Sequence, residues 1–257
     1  MPVHLLTPRF LEKVWGSHYL LPWFPDSVSQ IGEVWLEGPR GEPLPLLMKF
    51  LFTTDRLSVQ VHPGDAYARK NHQSNGKTEM WHILRADPGA EIALGLNRAL
   101  MAAELRADSE SGAIESELNR IEVKPGDTYF VPAGTIHAIG GGVVLCEIQQ
   151  QSDVTYRLYD YGRPRELHLD RGVEVSDLSA YVAPAAPLGC LAESAYFRAE
   201  RLVLEADAAI PADPARTFWL ICIEGAQAGQ AWQVDAGTGT IAILLIGRSV
   251  LIKTFVP

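Results

Sequence analysis

Long apolar runs, basic clusters and paired cysteines are what this 257-residue chain lacks. Its longest apolar runs, such as Ile241 to Ile246, are strand-sized, far short of the roughly 18–20 residues a helix needs to cross a bilayer. The start, Met1-Pro2-Val3-His4-Leu5-Leu6-Thr7-Pro8-Arg9, has neither the basic residues nor the apolar stretch of a secretory signal. Cysteine occurs three times, as Cys146, Cys190 and Cys222, with no C-x-x-C spacing. That odd, scattered set excludes a disulfide scaffold or a thiolate zinc site. It predicts three small core residues in a reducing, cytoplasmic setting. Basic residues number 22 against 31 acidic ones, for a net charge of −9. Nucleic acid demands phosphate neutralisation, so neither it nor a membrane is expected as a partner.

What is present is a globular balance, with 47% hydrophobic and 21% charged residues, which excludes wholesale disorder. Short β-like runs bounded by turn residues recur at 31–36, 46–52, 57–61, 80–84, 92–94, 128–131, 143–149 and 155–159. More follow at 198–204, 217–223, 231–234, 240–246 and 249–255. This density predicts a mainly antiparallel sandwich or barrel. Helix is expected at 65–71 and in an insertion at about 97–120. There Asn97 can cap the run from Ala99 to Leu105, and Ser111-Gly112 breaks it before 114–118. From about Arg171 the composition shifts, and 177–193 is an Ala- and Pro-rich connector. The expected organisation is a first domain over 1–170 and a smaller β-module over 171–257.

Two strand–turn contexts hold candidate metal ligands. In Leu57-Ser58-Val59-Gln60-Val61-His62-Pro63, alternation puts Gln60 and His62 on one face and Val59 and Val61 on the other. The same rule groups Lys77, Glu79 and Trp81. The stretch from Gly126 to His137 reads G-x5-P-x-G-x2-H: a turn, a strand, a Pro/Gly corner and a histidine re-entering the sheet. Two imidazoles, a carboxylate and an amide oxygen suit a divalent ion such as zinc, with a position left for water or substrate. His82 lies on the opposite strand face from Glu79 and is not expected to ligate. His4, His18, His72 and His168 read as surface or hydrogen-bonded residues.

The second motif resembles the second conserved motif of the cupin superfamily. The fuller set resembles type I phosphomannose isomerases (mannose-6-phosphate isomerases). It is carried by Ile31-Gly32-Glu33-Val34-Trp35, residues 57–63, 76–81 and 131–140, and Glu147 through Arg163, within about residues 15–170. The resemblance implies a cupin-type antiparallel β-sandwich or jelly roll, with the metal-binding catalytic domain at 1–170 and a non-catalytic module after it. It implies one Zn2+ per chain, held by Gln60, His62, Glu79 and His137. It also implies interconversion of D-mannose 6-phosphate and D-fructose 6-phosphate through a cis-enediol. The family's active-site arginine falls on Arg157, and its lysine and second acid fall on Lys77 and Glu147.

Alternation in Thr155-Tyr156-Arg157-Leu158-Tyr159 puts Arg157 on one face with Thr155 and Tyr159. A fixed guanidinium there suits an enediolate or a phosphate. Glu147 suits a proton shuttle, and Lys77 either a substrate contact or an ion pair. The chain departs from the family pattern at Gly64, at Trp15-Gly16-Ser17, at His82 and at Tyr161, and it is shorter than most relatives. Two other readings remain open. One is a non-catalytic cupin that binds a sugar or sugar phosphate. The other is an iron oxygenase, which leaves residues 147–163 without explanation.

Overall fold

The computed structural model describes residues 3–206, 209–243 and 245–257. Its first half forms β1 (Val3–Leu5), β2 (Thr7–Ser17), β3 (Ile31–Glu37), β4 (Leu46–Phe52), β5 (Val59–Val61), α1 (Asp65–His72), β6 (Glu79–Ala86) and β7 (Glu91–Leu96). Next come α2 (Ala102–Ser111), α3 (Ile114–Glu117), β8 (Leu118–Glu122), β9 (Thr128–Val131), β10 (His137–Ile139), β11 (Val143–Gln150), β12 (Tyr156–Tyr159) and α4 (Leu169–Val175). The remainder is β13 (Ala192–Glu193), β14 (Arg198–Leu204), β15 (Ala209–Pro211), β16 (Phe218–Glu224), β17 (Ala231–Val234), β18 (Thr240–Ala242) and β19 (Ser249–Phe255).

A central sheet runs β2-β3-β4-β11-β6-β9 and a five-stranded sheet runs β12-β5-β10-β7-β8. A C-terminal sheet runs β1-β17-β16-β19-β14-β13, and β15-β18 form a small ribbon. β4 shows why these layers stack, since every one of its residues is buried. Met48, Phe50 and Phe52 pack with Trp219, Ile221 and Ile252 of the C-terminal sheet. Leu51 points the other way, into a core shared with Leu57 and with Ile92 and Ile139 of the five-stranded sheet. A strand covered on both faces reads as a continuous apolar run rather than an alternation. The far face of the five-stranded sheet, with Val59, Val61 and Leu158, is closed by Leu105, Ile114 and Val173 of the helical segments. The central and five-stranded sheets thus make a cupin-type antiparallel β-sandwich.

Several elements differ from expectation. β1 pairs with β17, Val3 opposite Val234, so the first strand completes the C-terminal sheet. β2 was not expected, because Pro8 and Gly16 interrupt its pattern; it is a sheet edge, where a proline without N–H is tolerated. The insertion helix begins at Ala102 rather than Ala99. Glu104 accepts the Met101 N–H at 2.7 Å, while Asn97 donates its amide to Ser116 O at 2.7 Å and caps nothing. Residues 118–122 are strand, α4 was not foreseen, and the run at 240–246 shortens to β18, with position 244 outside the described residues. Cys146 and Cys222 are buried as expected, but Cys190 is half-exposed. Among the described residues, no helix is long and apolar enough to cross a membrane.

Candidate metal centre

β5 is short, and its two valines are buried against the helical layer. That turns Gln60 inward and leaves His62 at the strand end. Gln60 pairs in register with His137 on β10. Backbone bonds tie the ligand-bearing segments together. Gly134 N donates to His62 O at 2.8 Å, Lys77 N to Pro63 O at 3.1 Å, and Ala133 N to Thr78 Oγ1 at 3.2 Å. The Pro/Gly corner therefore brings His62, Glu79 and His137 to one point.

These three residues are buried, and one donor atom from each lies within 4.8 Å of the others. His62 Nδ1 donates to Val154 O at 3.0 Å, and His137 Nδ1 to Thr135 O at 2.8 Å. A carbonyl can only accept, so each ring carries its proton on Nδ1 and turns an Nε2 lone pair inward. Burial, and then the Lys77 ammonium, hold His62 well below the ordinary histidine value and bring His137 down to about 4. Both rings are neutral. Glu79 completes the set, its oxygens 3.7 Å from His62 Nε2 and 3.5 Å from His137 Nε2. Lys77 Nζ lies 2.5 Å from Glu79 Oε2 and 2.8 Å from His62 Nε2, a positive charge against the donor cluster. Two neutral imidazoles and a carboxylate fit a divalent ion. Gln60 borders the cluster with its amide nitrogen, 3.2 Å from His137 Nε2.

The cluster opens on a cavity of about 290 Å³ whose wall includes Gln60, Lys77, Glu79, Trp81, Glu147, Thr155 and Arg157. The expected residues are thus together, with one exception. The β5–β12 ladder shifts register between Arg157 and Tyr159, which turns Tyr159 toward Tyr161, 5.1 Å away, and off this wall. Arg157 is anchored by its Nη1 bond to Glu166 O at 2.7 Å, and its backbone N–H donates to His168 Nδ1 at 3.1 Å. His82 faces away, bonded to Thr128 Oγ1 at 2.8 Å.

Beyond Glu147, sequence reasoning missed the charged row that completes this wall. Lys13, Glu33, Lys49 and Glu147 stand on β2, β3, β4 and β11, neighbouring strands of the central sheet. Lys13 Nζ lies 3.4 Å from Glu33, and Lys49 Nζ lies 3.7 Å from Glu33 and 3.5 Å from Glu147. Lys77 closes the row, 3.6 Å from Glu147. Charges alternate along it. Burial raises the Glu33 carboxyl, yet Lys49, Lys13 and the Trp35 N–H outweigh it and bring it to about 2. Burial opposes the Lys49 ammonium, but Glu147 and Glu33 hold its pKa above the usual lysine value. Burial and then Glu79 push Glu147 up to about 8. Arg165, gripped by both oxygens of Asp160, adds a second guanidinium to the wall beside Arg157. The only sequence signal for Lys49 is a lone charge inside an otherwise apolar strand.

No protein-family model matches the chain. Mannose-6-phosphate isomerase ManA of Bacillus subtilis is 47% identical over 145 residues, 54% of this chain and 46% of that protein. YvyI of the same organism, which bears the same family name, is 37% identical over 212 residues, 66% of this chain and 67% of that one. In sequence the chain spans about half the length of the first curated relatives it matches. In structure it superposes on the mannose 6-phosphate isomerase of Bacillus subtilis with a TM-score of 0.87 at 29% identity, covering 99% of both chains. A phosphomannose isomerase structure from Salmonella typhimurium matches with a TM-score of 0.73 at 16% identity over 98% of this chain and 99% of that one, a likeness of fold alone. The chain belongs to the mannose-6-phosphate isomerase family, the type I phosphomannose isomerases.

Proposed function

We propose that this chain is a zinc-dependent aldose–ketose isomerase that interconverts D-mannose 6-phosphate and D-fructose 6-phosphate. The carrying observation is the buried His62/Glu79/His137 donor set opening on one cavity with Lys77, Glu147 and Arg157. Zinc suits two neutral imidazoles and a carboxylate, and Gln60 stands beside them with an amide that would offer its oxygen to the ion once turned end for end. When bound, one such ion per chain supplies Lewis-acid polarisation of the sugar oxygens.

The protein's own side chains carry the rest. Isomerisation moves a proton between C1 and C2 of the opened sugar through an enediol. In this reading Glu147 shuttles that proton, and Lys77 orients the sugar oxygens beside it. Arg157 and Arg165 bring permanently charged guanidinium groups to the phosphate from the facing wall. The division at residue 170 belongs to the same proposal, supported by every cavity-wall residue falling before it. The cytoplasm is the compartment we propose, since all three thiols stand free.

A coupled assay for fructose 6-phosphate, run beside metal analysis, tests the reading. Turnover that chelation abolishes and zinc restores is expected. Full turnover in metal-free protein overturns it, as does iron with oxygen uptake in place of isomerisation.

A further inference from the structure

The segment that follows β12 grips Arg157 at three points. β12 is the last strand of the five-stranded sheet and pairs on one side only, with β5. An edge strand turns the N–H and C=O of alternate residues outward, where no strand meets them. At Arg157 one residue, His168, meets both. Its backbone N–H donates to Arg157 O at 2.8 Å, and its ring Nδ1 accepts the Arg157 N–H at 3.1 Å. The third point is the bond from Arg157 Nη1 to Glu166 O at 2.7 Å, two residues before His168. Among the described residues that is the one hydrogen bond of the guanidinium. Its place on the cavity wall therefore follows the place of the Glu166 carbonyl.

A backbone N–H can only donate, so Nδ1 presents a lone pair and the ring carries its proton on Nε2. A second proton would aim one donor at another. The charged and titratable neighbours of the ring are Arg157 and Tyr156 on β12, Glu166 before it and Arg171 on α4, with the Tyr156 ring centred 6.3 Å away. Beyond them His72 of α1 is bonded to the Tyr156 hydroxyl at 2.5 Å, and Asp170 of α4 is paired with Arg106. Partial burial, and then the Arg157 charge, hold His168 below the ordinary histidine value, with Glu166 opposing them. The ring is neutral at pH 7.5.

We propose that His168 is a positioning residue for Arg157: its neutral ring, by accepting the Arg157 N–H, fixes residues 166–168 against β12 and so sets the guanidinium on the cavity wall. The inference rests on the isomerase reading, in which Arg157 serves the phosphate, and deepens it by naming what holds that charge in place. Protonation of His168 removes the acceptor, so the grip is present above the His168 value and is lost as pH falls through it.

Two substitutions separate the acceptor from the ring. His168→Phe keeps a ring against Tyr156 and removes the acceptor. His168→Asn carries Oδ1 where Nδ1 stands and does not titrate. At pH 7.5, with equal zinc content, kcat/KM of His168→Phe on mannose 6-phosphate should fall about tenfold, the scale of one hydrogen bond to a charged group. The loss should lie mainly in KM, because a phosphate contact serves ground and transition states alike. His168→Asn should restore it. From pH 7.5 to 5 the ratio of wild-type to His168→Asn kcat/KM should fall, since every other titrating group is shared. Arginine Nε NMR, with the Arg157 signal assigned by its loss in Arg157→Lys, reads position without turnover. That signal should stand apart in wild type and His168→Asn, and move toward the free-arginine position in His168→Phe and in acidified wild type. An unmoved Arg157 signal and unchanged KM in folded His168→Phe overturn the positioning role and spare the function. A signal that moves in protein without turnover supports the positioning role and overturns the function. Should His168→Phe fail to fold, a wild-type to His168→Asn ratio that stays constant with pH overturns the positioning role by itself.

Discussion

Lys49 is the one charged residue in β4, and it separates two buried carboxylates, Glu33 and Glu147. Removing one partner of a buried pair leaves uncompensated charge, a loss typically of about 3–5 kcal/mol. Lys49→Met, which keeps the stem, is therefore expected to lower urea stability at neutral pH by about 3 kcal/mol. An unchanged urea midpoint would show that water, not Lys49, neutralises these acids. His82 supplies the pH dependence on the other face of β6. Burial, and then Arg201, bring it down to about 4. Between about 6.5 and 4 the unfolded chain binds a proton there that the folded chain refuses. The stability this neutral ring contributes is present above the unfolded value and is lost as pH falls through that window. His82→Phe should hold its urea midpoint better than wild type over this range. Parallel pH profiles for the two proteins would sink the assignment.

At the scale of elements, the corner between β9 and β10 decides where His137 stands. Gly134 has φ +91, and a Cβ there would meet Val175 O at 3.2 Å. Its N–H holds His62 O, and its carbonyl accepts from Asp177 N at 2.8 Å. An L side chain at positive φ costs about 1–2 kcal/mol. Gly134→Ala should lose that much stability and, by displacing His137, about tenfold in zinc affinity, since 1.4 kcal/mol is a factor of ten. Calorimetric titration with zinc checks it: lower stability with unchanged affinity would mean that the corner does not set the ligand. The glycine was legible as a turn signal. The register shift that carries Tyr159 off the wall was not, because strict alternation presupposes an unbroken ladder.

At the scale of the whole molecule, the inner strands β4 and β11 of the central sheet are buried on both faces. Val34, Leu36, Met48, Phe50, Phe52 and Ile148 pack with Phe197, Trp219, Ile221, Val250 and Ile252, and β1 is a strand of the C-terminal sheet. A fragment ending at residue 170 would bare that apolar face, far more than a monomer ordinarily exposes. It is expected to aggregate or to show the broad amide spectrum of a loosely packed chain, while the full chain unfolds in one cooperative transition. A fragment with dispersed, native-like NMR signals would contradict this.

Local pattern determined much of the protein. Period-two alternation, Gly/Pro corners and the types of His62, Glu79 and His137 are properties of a few consecutive residues, so strands, turns and donor set are readable without a fold. β4, β9, β14, β17 and β19 fall on the residues the sequence predicts for them. Tertiary structure alone decided what depends on residues far apart in the chain. Lys13, Glu33, Lys49 and Glu147 become one alternating row only because β2, β3, β4 and β11 lie side by side. β1 finds its partner more than two hundred residues away. A single charge in a strand has the same local signature whether it meets water or an opposite charge across the sheet. Which of the two it meets is set by strand order, and strand order is fixed by the burial of whole faces rather than by any short stretch of sequence.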